Sequence, residues 1–513
     1  MPELIQPHRP SQKPPHNPRL HQIELPENWI ELLTIGFLGF GILVRLMQYF
    51  GNRSLWFDEI SLSLNIIRRS YGDLLNPLDH NQAAPPGFLW IEKLATQVLG
   101  NNEYALRLFP LMSSLVALVC FYQLATRYSS KLTALWAIAL FSSLRYTVYY
   151  ATEVKQYSSD VMVAVVFSLW LINWRYQSLK MSQTILLGLA GAVAIWLSHP
   201  AIFTLGGIEL VYLITAKNRR LIFYNRLPVY LTWLVSFGSL YLLTIQLVLR
   251  NEQLIESWSS RYPDSIFDLI WLLDAFGRFF YRPLGFLSIS DGVAMVAFII
   301  GCWAFFRRDR LIFCSLMAPL GATLLASYLH QYPFRERLVL FLVPGVILVI
   351  AEGINFSMKQ PQRLFQVFGG LLLLILLIPP VIRSGWLIVQ PEFKEEFRPV
   401  LAYVKQHKLS GDRLYIYFKG RNHFAYYGER FGYGDEDYFL GQIELDDRGK
   451  VSPEEQAQYQ QELNQFRGQN RVWLVFRASN AEEPILLNYP NQIGQQTECF
   501  RKRGAFACLY NFE

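Results

Sequence analysis

The chain has 513 residues, of which 52% are hydrophobic and only 17% charged, with 47 Lys+Arg against 40 Asp+Glu for a net charge of +7. Soluble proteins carry about 25% charged residues, so this chain lacks the polar material to cover a globule of its size. Its 15% aromatics, 32 Gly, 26 Pro and 5 Cys exclude fibrous, disordered and disulfide-scaffold classes. What remains is a polytopic membrane protein with some water-exposed mass. The positive balance is read as basic cytoplasmic loops and contact with lipid headgroups, not as nucleic-acid binding.

Residues 1–28 are polar and rich in proline (Pro2, Pro7, Pro10, Pro14, Pro15, Pro18, Pro26) and read as a disordered cytoplasmic tail, without the features of a signal peptide. A bilayer core of about 30 Å needs about 20 apolar residues per helix. On that measure spans fall at residues 29–50, 104–126, 132–150, 157–174, 183–197, 201–214, 229–248, 292–306, 311–327, 338–354 and 365–389. The chain is therefore expected to be an α-helical membrane protein of about eleven spans. Short basic connections at Arg127/Lys131, Arg175/Lys180, Lys217/Arg219/Arg220/Arg226, Arg307/Arg308/Arg310 and Lys359/Arg363 lie on alternate loops. The positive-inside rule makes that side cytoplasmic, together with the N-terminus. The expected location is a cell membrane, with every long loop and the C-terminal segment outside.

The first external loop, residues 51–103, opens Trp56-Phe57-Asp58-Glu59. Phe57, Ile60, Leu64 and Ile67 recur at helical spacing, predicting an amphipathic helix on the membrane surface. Adjacent acids at a helix start suit the helix dipole. A helix needing only a cap, however, has no use for two acids after a Trp-Phe pair one turn beyond a span, and Asp58 is the leading functional candidate. Farther on, His80 precedes Pro85-Pro86, a turn that starts a second amphipathic helix. A lone histidine there is weak by itself. The next span opens Glu103-Tyr-Ala-Leu-Arg107-Leu-Phe-Pro110. A short external loop carries Glu153-Val-Lys155-Gln-Tyr157, and a later one Arg335-Glu-Arg337-Leu-Val-Leu-Phe-Leu-Val-Pro344.

After residue 389 the composition turns charged. Strand-like runs at residues 413–418 and 471–476 and helical patterns at 394–407 and 453–466 predict a small external α/β domain over 390–513. Cys120, Cys302 and Cys314 fall in or near spans and read as packing residues. Cys499 and Cys508 flank a turn at Arg503-Gly504 in a terminal hairpin that sets them directly opposite each other. Opposed cysteines at the Cα spacing of a non-hydrogen-bonded pair, about 4.5 Å, are within disulfide range, so a Cys499–Cys508 bridge in an oxidising compartment is expected.

A Trp-x-Asp-Glu after the first span, a Pro-Pro helix start, and Glu-x-Ala-x-Arg-x-x-Pro at the second span occur here in that order. This arrangement resembles the GT-C membrane glycosyltransferases of the protein O-mannosyltransferase and aminoarabinose transferase type. Glu153-x-Lys155-x-Tyr157 resembles that group's Glu-x-Arg-x-Tyr, with Lys155 in place of arginine. The Arg337 run resembles its late Arg-Tyr-x-x-x-x-x-Pro element, with Leu338 in place of tyrosine. The resemblance covers the first 355 residues, and the C-terminal domain only by position.

It implies a GT-C transmembrane domain over 29–389 and an inverting, single-displacement transfer of sugar from a polyprenyl-phosphate-linked donor to an acceptor hydroxyl on protein, lipid or glycan. Asp58 would be the base, with Glu59, His80, Glu153, Lys155, Tyr157, Arg335 and Arg337 around the substrates. Chemistry agrees: the acceptor needs a base, and the departing lipid phosphate needs fixed cations. Lys155, Arg335 and Arg337 sit at the depth of a lipid phosphate, although snorkelling toward headgroups would also place them there. Asp58, Glu59 and His80 are the candidate set for a divalent cation, such as related enzymes sometimes hold. The alternatives are a polysaccharide polymerase or ligase, or a transporter of lipid-linked saccharides. A transporter's ionisable residues cluster at mid-membrane in broken helices, whereas here Arg45 is the main charge inside a span.

Overall fold

The computed structural model describes residues 28–175, 177–250, 256, 258, 261–434, 437–445 and 451–512; all but the last residue of the proline-rich N-terminal segment lies outside that set. Hydropathy dictates most of the architecture. Among the described residues, seven helices are long and apolar enough to cross a bilayer: Trp29–Phe50, Glu103–Tyr128, Arg219–Val248, Ile289–Arg308, Arg310–Tyr328, Glu336–Met358 and Arg363–Val389. Four shorter apolar helices, Lys131–Ser143, Tyr157–Asn173, Met181–Leu197 and Ala201–Thr215, lie where the sequence places the other spans.

We label the first elements α1 (Trp29–Phe50), α2 (Phe57–Arg68), α3 (Pro86–Leu99), α4 (Glu103–Tyr128) and α5 (Lys131–Ser143). The sequence predicts one span through residues 132–150, but α5 stops at Ser143 and a separate short helix, Arg145–Tyr149, follows. Arg45 of α1 explains the break. Its fully buried guanidinium draws the carbonyls of Phe141 (3.1 Å) and Ser142 (3.3 Å), together with Gly41 O (2.9 Å) and Ser114 Oγ (2.8 Å). A charge in an apolar bundle persists only when paired in this way. The break turns Tyr146, Tyr149 and Tyr150 toward the loop side of the bundle.

Beyond the last long helix lies a five-stranded sheet of β1 (Arg413–Ile416), β2 (Phe439–Leu440), β3 (Val472–Arg477), β4 (Gly494–Lys502) and β5 (Ala505–Phe512), in the order β2-β1-β3-β5-β4. Strand β1 pairs parallel with β2 and β3, whereas β5 runs antiparallel to β3 and β4. Helices Phe397–His407 and Pro453–Asn464 accompany the sheet, the latter opened by a Ser452/Glu455 capping box. Cys499 and Cys508 are register partners and are disulfide-bonded, with Cα atoms 4.0 Å apart.

The sheet domain does not stand apart from the first loop. One continuous core joins Leu55, Ile60, Leu64, Phe88 and Leu106 of the loop region to Phe397, Val400, Phe424, Trp473 and Ala507 of the C-terminal segment. The structure therefore corrects the expected position of α2. Every residue from Glu59 to Ile66 is buried, on polar and apolar faces alike. The polar face is small enough to be covered: Ser61, Ser63 and Asn65 replace the long charged side chains of a surface helix, and Asn65 Nδ2 bonds the Ser61 carbonyl at 2.8 Å.

Candidate functional site

The site grows from the N-terminus of α2. Trp56 caps the helix, and Glu59 turns back to accept from the Trp56 amide at 3.3 Å. Glu59 also receives Arg107 through two bonds, 2.8 and 3.1 Å, and the Val154 amide at 3.0 Å. Its carboxylate is fully buried. Burial works to raise its pKa, but Arg107 and then Arg53 outweigh it and hold the group below the ordinary carboxylate range. Glu59 thus ties together the first loop, the start of α4 and the Glu153 loop, with no oxygen left to face a substrate.

Asp58, one residue earlier, points the other way. Arg337 Nη1 meets its Oδ2 at 2.7 Å. Burial favours the neutral acid, but Lys155, Arg337 and Lys394 together keep Asp58 below the usual carboxylate range. Lys155 is hydrogen-bonded to the Gln82 amide oxygen and makes no ion pair among the described residues. Burial pulls its ammonium down to about 8, against the pull of Asp58. Arg337 lies over the Tyr157 ring at 5.6 Å, and Tyr157 meets Tyr150 edge-on at 5.0 Å. Glu336, just before Arg337, has φ +46°, a costly conformation for a non-glycine residue that aims the guanidinium inward.

Glu153 forms the floor. Its Oε1 accepts from the Trp56 indole at 2.8 Å, while Oε2 is buried without a partner. Burial raises this carboxyl, with Lys394 pulling the other way. Asp58, two positions along the chain from Trp56, and Glu153, bonded to its indole, are thus pushed in opposite directions.

Of the residues singled out in the sequence, Asp58, Glu153, Lys155, Tyr157 and Arg337 are brought together. Arg335 is not; it pairs with Asp274 at 3.2 Å. His80 lies beside Asn422 at 3.3 Å, its backbone at φ +59°. Asp58, Glu59 and His80 are therefore engaged separately, and among the described residues no group of three His, Cys, Asp or Glu is placed to hold a metal ion.

Beside Arg337 opens a cavity of about 190 Å³ lined by Trp56, Arg145, Tyr146, Tyr149, Tyr150, Arg282, Pro283, Glu336, Arg337, Glu392 and Lys394. Three cations here escaped sequence reasoning: Arg145, Lys394 and Arg282, the last 4.0 Å from Glu336. Arg145 follows the α5 break and pairs with Glu392 at 2.7 Å. Lys394 comes from the start of the C-terminal segment, its ammonium 3.5 Å from the Trp56 ring centre and 4.4 Å from that of Tyr149. Neither Arg145 nor Lys394 has a local signal, since each is set in place by a break or a docking far along the chain.

Residues 83–243 match the family model described as dolichyl-phosphate-mannose-protein mannosyltransferase. Among solved structures, the chain is similar to ArnT from Cupriavidus metallidurans bound to undecaprenyl phosphate, with 12% identity, a TM-score of 0.51, and coverage of 94% of this chain and 98% of that one. It is also similar to the archaeal oligosaccharyltransferase AglB from Archaeoglobus fulgidus in complex with an inhibitory peptide and a dolichol-phosphate, at 10% identity and TM-score 0.51, covering 94% and 74%. No curated protein matches the chain. A mostly helical, multi-pass membrane chain with a small C-terminal sheet domain, it has the fold of the GT-C superfamily of membrane glycosyltransferases.

Proposed function

We propose that the protein transfers a sugar from a polyprenyl-phosphate-linked donor to an acceptor hydroxyl on the outer face of a cell membrane, with Asp58 as the base. The observation that carries this reading is the ion pair of Asp58 with Arg337, a wall residue of a cation-lined cavity. A resting carboxylate held by a guanidinium is a weak base. A phosphate is a better bidentate partner for arginine. A donor whose phosphate takes Arg337 would release Asp58, raise its proton affinity and leave it facing the acceptor. Donor binding and base activation then become one event. Lys155 would meet the charge that develops on the leaving phosphate. Glu59 is locked to Arg107, and burial pushes Glu153 toward its neutral, non-nucleophilic form, which favours single displacement with Asp58 as base and inversion at the sugar carbon. The basic loops at the opposite end of the bundle support placing this face outside.

The test uses purified full-length protein with a polyprenyl-phosphate-sugar and a hydroxyl acceptor. Free polyprenyl phosphate should appear in step with glycosylated acceptor, and the anomeric configuration of the product should be inverted. Movement of intact donor across a vesicle membrane without release of phosphate would support the transporter instead.

A further inference from the structure

The C-terminal segment does more than cover the first loop. Residues 394–396 lie directly beneath α2. Glu395 accepts from the Phe57 amide at 2.9 Å and is itself held by Arg477 at 2.7 Å and His423 at 3.0 Å. The β4–β5 turn locks the same stretch, since Glu396 N donates to Arg503 O at 2.8 Å. Lys394 is thereby fixed with its ammonium between the Trp56 and Tyr149 rings. Among the described residues it forms neither a hydrogen bond nor an ion pair through Nζ.

That is an unusual state for a lysine. An ammonium carries three donors and is strongly hydrated, and aromatic faces replace only part of that hydration. Its nearest carboxylate influence is Glu153, which keeps one oxygen bare instead of closing the pair. The cavity, meanwhile, is lined by both Lys394 and Arg337. Lys155, Arg337 and Lys394 act on the Asp58 carboxylate, and the cavity wall sets Arg145, Arg282, Arg337 and Lys394 against the acids Glu336 and Glu392. A sugar-phosphate diester brings one negative charge, and the phosphate monoester left after transfer brings up to two. The surplus matches the leaving group better than the donor.

We propose that Lys394 is a catalytic residue contributed by the C-terminal domain, its ammonium binding an oxygen of the lipid phosphate and carrying the charge that appears there when the glycosidic C–O bond breaks. The acceptor oxygen bonds to the sugar's anomeric carbon as that bond breaks, the bond's electron pair stays on the phosphate oxygen, and the acceptor proton goes to Asp58. This rests on the donor reading above and adds a residue and a domain to it.

The experiment measures binding of undecaprenyl phosphate and of uncharged undecaprenol to the full-length protein in detergent, alongside its melting temperature. Wild type should prefer the phosphate. Lys394→Gln should lose roughly 10- to 100-fold of that preference, the value of one hydrogen bond to a charged group, and Lys394→Arg should keep most of it. Should the glutamine variant melt low, Lys394→Met keeps the stem between the rings and reads the same loss. A glutamine or methionine variant that melts normally and retains the full preference would overturn the role of Lys394 alone. A wild-type protein with no preference for the phosphate would overturn the donor reading, and this role with it.

Discussion

Asp58 and Glu59 are neighbours in sequence with opposite duties, because successive residues on a helix point about 100° apart. If Asp58 is the base, Asp58→Asn should lower turnover by roughly 10²–10⁴-fold with normal yield of folded protein. Near-normal transfer by that variant would turn attention to Glu153, the other acid at the Trp56 ring. Glu59→Ala should do something else: it strands Arg107 in a buried site, at a cost of about 3–5 kcal/mol, visible as a lower melting temperature and poor yield. Lys155 makes a pH prediction. It is faced by Asp58, Glu59, Glu153, Arg337 and the Gln82 amide. Its ammonium is charged below about 8 and neutral above. If that charge receives the leaving phosphate, kcat/KM should fall as pH rises through about 8. Lys155→Arg should move the fall to higher pH, since a guanidinium stays charged. A flat profile through this range in wild type would remove Lys155 from the phosphate site.

At the scale of elements, the β4–β5 turn sets the position of residues 394–396. Gly504 sits there at φ +73°, and a Cβ on it would lie 2.9 Å from the Lys394 carbonyl oxygen. Gly504→Val should therefore both strain the turn and push Lys394 out of its aromatic slot, so that activity falls further than melting temperature. Equal loss of both would mean that the turn is only structural. The helices themselves were legible in sequence, because long apolar runs have few alternatives in a bilayer, and the strands at 413 and 472 showed in their apolar runs. The grouping of Asp58, Lys155, Tyr157 and Arg337 was visible through loop motifs. What was not legible depends on contacts 96 to 372 residues apart. Nothing near Ser143 announces a helix break caused by Arg45, and nothing near α2 shows that residues from 397 onward bury its polar face.

Across the whole molecule, the shared core makes the α/β segment part of the first loop's own fold. Truncation after residue 389 should therefore not leave an active membrane domain. We expect the shortened chain to insert, to lose all transfer, and to become sensitive to protease within residues 51–103. A truncated chain that keeps a protected first loop would show the two regions to be independent.

That core also has a consequence in time. The Leu55 amide bonds the Tyr427 hydroxyl at 2.9 Å across 372 residues of chain. At about 5–20 residues synthesised per second, the first loop waits roughly 20–75 s for the segment that buries it. During that interval Ile60, Leu62, Leu64 and Ile66 have no partner of their own chain from beyond residue 389. The newly made loop must be sheltered meanwhile, by the bilayer surface or by a chaperone on that side. A first loop that shares one core with strands β3 and β5 cannot reach its folded form before those strands are made, so the proposed transfer cannot start on a chain that still lacks them.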